Sequence, residues 1–309
     1  ENVAREGFRF VVYNPLPWER GGMVNFVLPS QGSIKEAYVK EVGTGRIYDL
    51  KVYGADSKRL GTFFAEGIPA NGYKTYILTD ESPAQVENSL KGEEQANYIE
   101  NKWYKVSFDK KKGCIRSIWD KTNKRELVDD QSENGFGSYV YERYDKEQSY
   151  RYLKEYIYDK YKNSHYQITG KSTYLDERTK GIHESPWNME FHVENHKSSI
   201  RGVLTPSASV GEEKHTAGLT VTLYENMPCI DVKLSVINKP ATEEPEAGWI
   251  ALPFKTKSPE YRVGRIGSVI DPAKDLIEGS QFNYIWSNSG IMIKDKEYSV
   301  GVCPIDAPE

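Results

Sequence analysis

The side chains of this 309-residue sequence that could do chemistry are five histidines, three cysteines and 45 acidic residues. A hydrolytic zinc centre needs several His, Asp or Cys ligands around one ion, with a coordination position left open. The histidines are His165, His183, His192, His196 and His215. His192 and His196 have the i, i+4 spacing that puts two ligands on one helix face. Their context, Phe191-His192-Val193-Glu194-Asn195-His196, instead alternates like a strand running into a turn. On a strand, positions four apart lie about 13 Å from each other, too far to share an ion. No metal ligands are therefore predicted in this chain. It has no Gly-x-Ser-x-Gly elbow and no P-loop, and Gly135-Phe136-Gly137 is followed by Val140 where a dinucleotide fingerprint needs its third glycine. Cys114, Cys229 and Cys303 are too scattered for a CxxC pair or a disulfide framework.

Carboxylates paired as acid and base hydrolyse glycosides, but acidic residues alone identify nothing when they are this numerous. Two segments stand out. In Glu243-Glu244-Pro245-Glu246-Ala247-Gly248-Trp249, acids meet an aromatic just before an apolar run; a charged, solvated turn explains the same residues. Asp271-Pro272-Ala273-Lys274-Asp275 and then Asn283-Tyr284-Ile285-Trp286 offer hydrogen-bonding and stacking groups, or simply a turn and an edge strand.

The elements that would position these groups are strands. Leu219, Val221 and Leu223 alternate with Thr220, Thr222 and Tyr224; after a turn, Ile230, Val232, Leu234 and Val236 alternate with Asp231, Lys233 and Ser235. This predicts a hairpin with one buried face and a solvated outer face. Further strands are expected at 8–13, 23–28, 73–78, 98–108, 114–119, 137–141, 166–174, 249–254 and 290–294, separated by turn clusters such as Lys112-Gly113 and Asn134-Gly135. One helix is expected at Ser149–Asn163, within a Tyr-, Lys- and Glu-rich excursion between Asp129 and Trp187. Residues 81–96 are polar and aperiodic and read as a linker between a small β module, 1–80, and a large β domain, 97–309. Aromatic residues make up 12% of the chain, with 22 Tyr and 6 Trp, which suits β cores and also sugar-stacking surfaces. The formal net charge is -4 with the signs interspersed, which disfavours a nucleic-acid partner. The longest apolar runs are far too short for a transmembrane helix. The chain opens on Glu1, as an excised or processed piece would. Its compartment is not encoded in any recognisable signal.

Phe10-Val11-Val12-Tyr13-Asn14-Pro15-Leu16-Pro17-Trp18 is similar to the Asn-Pro-Leu-(Ser/Pro)-Trp segment that opens the β region after the catalytic domain of family 38 glycoside hydrolases, the α-mannosidases. A longer match follows in the family's order. Tyr98-Ile99-Glu100-Asn101-Lys102-Trp103-Tyr104-Lys105-Val106, Gly113-Cys114-Ile115-Arg116-Ser117-Ile118, Asp120-Lys121 and Arg125-Glu126-Leu127-Val128 resemble the start of its large sandwich domain. The resemblance implies an all-β architecture: a small β-sandwich module followed by a large galactose-mutarotase-like β-supersandwich. It implies a neighbouring catalytic domain in the same polypeptide that holds the zinc. The family's His-x-Asp zinc motif has no counterpart among the histidines here, so no catalytic residue carries over and no cofactor is expected in this chain.

The leading expectation is a non-catalytic β region that supports an α-mannosidase-like catalytic domain, exposes an apolar patch where that domain would sit, and contributes loops to binding a mannoside-type glycan. The residues expected to touch sugar are Glu246, Trp249, Arg262, Asp271, Asp275 and Trp286, as charged, hydrogen-bonding and stacking groups near strand ends. Two alternatives stand beside it: a free-standing carbohydrate-binding module, and an aldose epimerase using His183 with Glu184, or His192 with Glu194, as acid and base.

Overall fold

The computed structural model describes residues 8–28, 38–53, 59–81, 89–143, 189–196, 199–207, 215–225, 227–241, 246–278 and 285–305. The helix expected at Ser149–Asn163, the strand expected at 166–174 and the His183-Glu184 pair lie outside these residues. The chain divides into two compact units. One is formed by Glu1–Leu90 with Asn195–Ser199 and Tyr224–Pro228, the other by Lys91–Glu194, Ile200–Leu223 and Cys229–Glu309.

The first unit contains two antiparallel sheets. Strands β1 (Arg9–Asn14), β7 (Gly72–Thr79), β3 (Tyr38–Glu41) and β4 (Ile47–Asp49) form one, in the order β1-β7-β3-β4. Strands β2 (Arg20–Val27), β6 (Leu60–Ile68) and β5 (Lys51–Tyr53) form the other, ordered β2-β6-β5. Period-two alternation sends Phe10 and Val12 inward against Phe63 and Tyr76, and Phe10 stacks on Phe26 at 4.3 Å between ring centroids. Burying a ring such as Phe63 contributes about 2 kcal/mol. The opposite face of β1 and β7 is open: Val11 is 56% exposed, and Tyr13 and Tyr73, directly paired across the strands, are 60% and 62% exposed. Glu41 is buried and compensated, accepting from Tyr48 Oη at 3.0 Å and Lys74 Nζ at 3.2 Å.

The second unit carries four sheets. The first is ordered β12 (Arg125–Glu126), β11 (Cys114–Asp120), β10 (Tyr104–Asp109), β9 (Tyr98–Glu100), β8 (Lys91–Glu93). Strands β13 (Tyr139–Arg143) and β18 (Glu246–Ile250) form a two-stranded ribbon. Strands β14 (Met189–Asn195), β15 (Ser199–Pro206), β16 (Thr216–Tyr224) and β17 (Ile230–Ile237) form the third sheet in chain order. The fourth is ordered β20 (Ser268–Ile270), β19 (Glu260–Arg265), β21 (Gly290–Lys294), β22 (Ser299–Val302), and α1 (Pro272–Asp275) follows β20 in the chain. The chain is all-β apart from this one short helix among the described residues.

Two expectations from alternation meet the structure closely. In the β16–β17 hairpin Leu219, Val221 and Leu223 pair with Leu234, Val232 and Ile230. In the β10–β11 hairpin Val106 pairs with Ile118 and Phe108 with Ile115, across one bulge. The outer face of β17 is solvated at Asp231 and Lys233, but on β16 Thr216 and Thr222 of that face are buried as well. The single strand expected at 98–108 is two antiparallel strands, because Asn101 turns the chain. Its fully buried side chain accepts from the amides of Trp103 at 2.9 Å and Tyr104 at 2.7 Å, an Asx turn that costs the strand three residues. The strand expected at 249–254 starts three residues earlier, at Glu246, and leaves regular geometry after Ile250. From there Ala251 still donates to the Ser138 carbonyl and accepts from the Gly137 amide, and the Pro253 carbonyl accepts from the Asp129 amide.

Candidate functional site

The ribbon β13–β18 brings several titratable groups together. Its register pairs Tyr139 with Ile250, Tyr141 with Gly248 and Arg143 with Glu246, so these residues share one face; Val140 with Trp249 and Glu142 with Ala247 share the other. The ribbon's entry is fixed by glycines. A Cβ on Gly135 would lie 2.4 Å from Cys114 Sγ, and Gly137 has φ +79 beside Leu219. Tyr139, Tyr141 and Ala217 are buried together, with Leu234 packed against them.

On the first face Tyr141 Oη donates to Glu246 Oε2 at 2.5 Å, and Lys239 Nζ, just beyond β17, meets Glu246 Oε1 at 2.5 Å. Tyr139 Oη lies 3.2 Å from His215 Nε2, and the His215 ring stands edge-on to Tyr141 at 4.7 Å. Burial alone would raise the Glu246 carboxyl, but the hydrogen bonds from Lys239 and Tyr141 outweigh it and hold the group below its ordinary value. Burial, then the Glu246 hydrogen bond, push the Tyr141 phenol up to about 12. On the opposite face Trp249 Nε1 donates to Glu142 Oε2 at 2.8 Å. Glu246 and Trp249, both expected at a sugar, thus look away from each other.

A second group sits at the corner made by β19, β20 and α1. Asp271 caps α1, accepting from the Ala273 amide at 3.1 Å, and its own amide donates to Asp275 Oδ2 at 2.7 Å. Arg262 Nη1 pairs with Asp271 Oδ2 at 3.0 Å, and Lys274 Nζ meets the same oxygen at 3.1 Å. The Lys274 hydrogen bond, with the Ala273 amide and the Arg262 charge behind it, holds the Asp271 carboxyl low against the opposing effect of burial. Trp286 stands 49% exposed ahead of β21, where its buried neighbour Ser287 donates to the backbone carbonyls of Gly264 and Gly290.

The six residues singled out from sequence therefore fall into two sets and one outlier: Glu246 and Trp249 on the ribbon, Arg262, Asp271 and Asp275 at the corner, and Trp286 alone. Sequence reasoning missed Tyr139, Tyr141, His215 and Lys239. The available signal was Tyr-x-Tyr at 139 and 141, which puts two phenols on one face of a strand. His192, on β14, lies between Glu94 at 3.9 Å and Glu190 at 3.6 Å, while Glu194 pairs with Arg201 at 3.3 Å. Among the described residues no group of three or more His, Cys, Asp or Glu side chains could hold a metal ion, and no helix is long and apolar enough to cross a membrane.

Among solved structures, the fold is similar to that of an alpha-mannosidase from Enterococcus faecalis V583, with a TM-score of 0.53 at 10% sequence identity. The alignment covers 93% of this chain and 36% of that one, so the chain spans about a third of the mannosidase's length. Comparison with curated proteins gives no match. Residues 99–304, more than half of the sequence, match the glycosyl hydrolases family 38 C-terminal domain, and the chain belongs to that family.

Proposed function

We propose that the chain is the non-catalytic β region of an α-mannosidase-like glycoside hydrolase, that it supports a catalytic domain of the same polypeptide, and that it lends side chains to binding a mannoside-type glycan. The family match over residues 99–304 carries this reading. A fold shared with an alpha-mannosidase over most of the chain supports it. The open face of Val11, Tyr13 and Tyr73 also supports the buttress role, because exposed apolar patches mark surfaces that meet a partner. In this reading the zinc belongs to the catalytic domain, and no step of the reaction runs through the residues described above. The exposed tyrosine pair also favours a second reading, a free-standing carbohydrate-binding module, since Tyr offers an apolar ring face with a hydrogen-bonding tip.

The deciding experiment is hydrolysis of a nitrophenyl α-mannoside with zinc added. The 309-residue chain is compared with a longer polypeptide extended upstream through the catalytic domain. Turnover is expected only in the longer polypeptide. Turnover by the 309-residue chain alone overturns the proposal.

A further inference from the structure

The edge of a sheet carries backbone groups ready to pair, and folded proteins blunt it with short strands, bulges or repelling charges. In the second unit the outer strands of the first and fourth sheets, β8, β12, β20 and β22, are two to four residues long. Strand β17 is different. It runs for eight residues, pairs with β16 without a bulge, and among the described residues has no strand on its other side. Burial falls away at the same edge. Leu219, Val221 and Leu223 of β16 are buried, whereas their partners Leu234, Val232 and Ile230 are only half-buried and Val236 is 45% exposed.

We infer that β17 is a dimerisation edge, which pairs antiparallel with β17 of a second copy of this chain about a two-fold axis through Val232. This goes beyond the function proposed above and does not depend on it. The strand's charges choose both the occupant and the register. Residues directly opposite in an antiparallel pair share a face, so β17 can meet its copy only in registers that keep Ile230, Val232 and Leu234 on the apolar side. With Val232 opposite Val232 of the second copy, Ile230 meets Leu234 and Asp231 meets Lys233, each twice by symmetry. The next such register on one side sets Asp231 against Asp231, and on the other Lys233 against Lys233, and like charges directly opposite are destabilising. One register further, neither charge faces the other.

A lysine on an edge strand ordinarily keeps other strands away. Lys233 alone would do so here; Asp231, on the same face two residues earlier, makes the edge attractive to a copy of itself. Both side chains are exposed, so they meet across the new pair with little desolvation. The pairing also extends the half-covered apolar row of Ile230, Val232 and Leu234 with an identical row from the second copy. Five residues on each side make a small contact, so the dimer is of the weak, concentration-dependent kind rather than an obligate one.

The test is sedimentation equilibrium of the 309-residue chain at concentrations up to about 1 mM, where a monomer–dimer equilibrium is expected. Lys233→Glu sets like charges opposite each other in both symmetric pairs and should weaken dimerisation by about tenfold or more. Exchanging the two charges, Asp231→Lys with Lys233→Asp, restores the complementarity and should return the affinity to within about threefold of the original. The exchanged pair also carries the test if Lys233→Glu alone disturbs the fold. Lys257→Glu, at an exposed position, changes the net charge by the same amount and should leave dimerisation unchanged. A monomer at every concentration overturns the proposal and leaves the edge to another segment of the polypeptide. Dimerisation that Lys233→Glu leaves intact overturns it as well, and a loss that the charge exchange does not repair overturns the register.

Discussion

The ribbon and the corner both build an ion pair on a carboxylate, yet they recruit partners at very different distances along the chain. Glu246 is held by Lys239, close by in sequence, and by Tyr141, 105 positions away, and sits over buried rings. Asp271 is held chiefly by the Ala273 amide and Lys274 of its own short helix, with Arg262 from the adjacent strand. A carboxylate satisfied by its neighbours in sequence is a cap, and its charge adjusts a turn. One satisfied across many residues exists only once the whole unit is folded, so it can serve as a site. The difference teaches that residue type selects candidates while sequence separation of partners ranks them.

The largest effects should come from the glycines that shape each region. Gly135→Ala should lower stability by about 1–3 kcal/mol by forcing a methyl group onto Cys114 Sγ. Gly267→Ala, at the β19–β20 turn with φ +72 and nothing within 4 Å of its Cβ position, should cost about 1 kcal/mol through backbone strain alone. Urea midpoints read both; equal costs would mean that the entry to the ribbon repacks freely.

Smaller effects separate the two carboxylates. Tyr141→Phe should cost about 0.5–1 kcal/mol by removing one donor to an acceptor that Lys239 still holds. Asp271→Asn keeps the capping oxygen and should move the denaturation midpoint less than Tyr141→Phe does. The reverse order would make the corner, not the ribbon, the more tightly integrated region.

The smallest effects are in pH. Because the Glu246 pKa is depressed below its ordinary 4.5, its contribution is present above that value and lost as pH falls through the lower folded-state value. Tyr141 behaves oppositely: its pKa is raised from 10.0 to about 12, so its contribution is complete below 10 and lost as pH climbs towards 12. Urea midpoints measured from acid to alkaline pH should therefore fall at both ends, and Tyr141→Phe should flatten both limbs. An unchanged profile in that variant would uncouple Tyr141 from Glu246.

Much of the fold was legible because alternation is local. The hairpin β16–β17 and the pairing of Val106 with Ile118 follow from which residues repeat at period two. The break at Asn101 was not, because one side chain accepting from two amides overrides a continuous strand-like run. The site was half legible for the same reason. Glu246 stood out beside Trp249, and Arg262, Asp271 and Asp275 lie within one short stretch. Tyr139 and His215 meet across 76 positions, and no short-range pattern encodes that meeting.

The Asx turn at Asn101 also limits how the sequence can drift. Ile99 pairs with Val106 across it, so the count of residues between them is fixed. Inserting or deleting a single residue there would swap the inward and outward sides of β10 and turn Val106 and Phe108 to water. Length variation among relatives should therefore accumulate elsewhere, while this turn keeps its length even where its letters change.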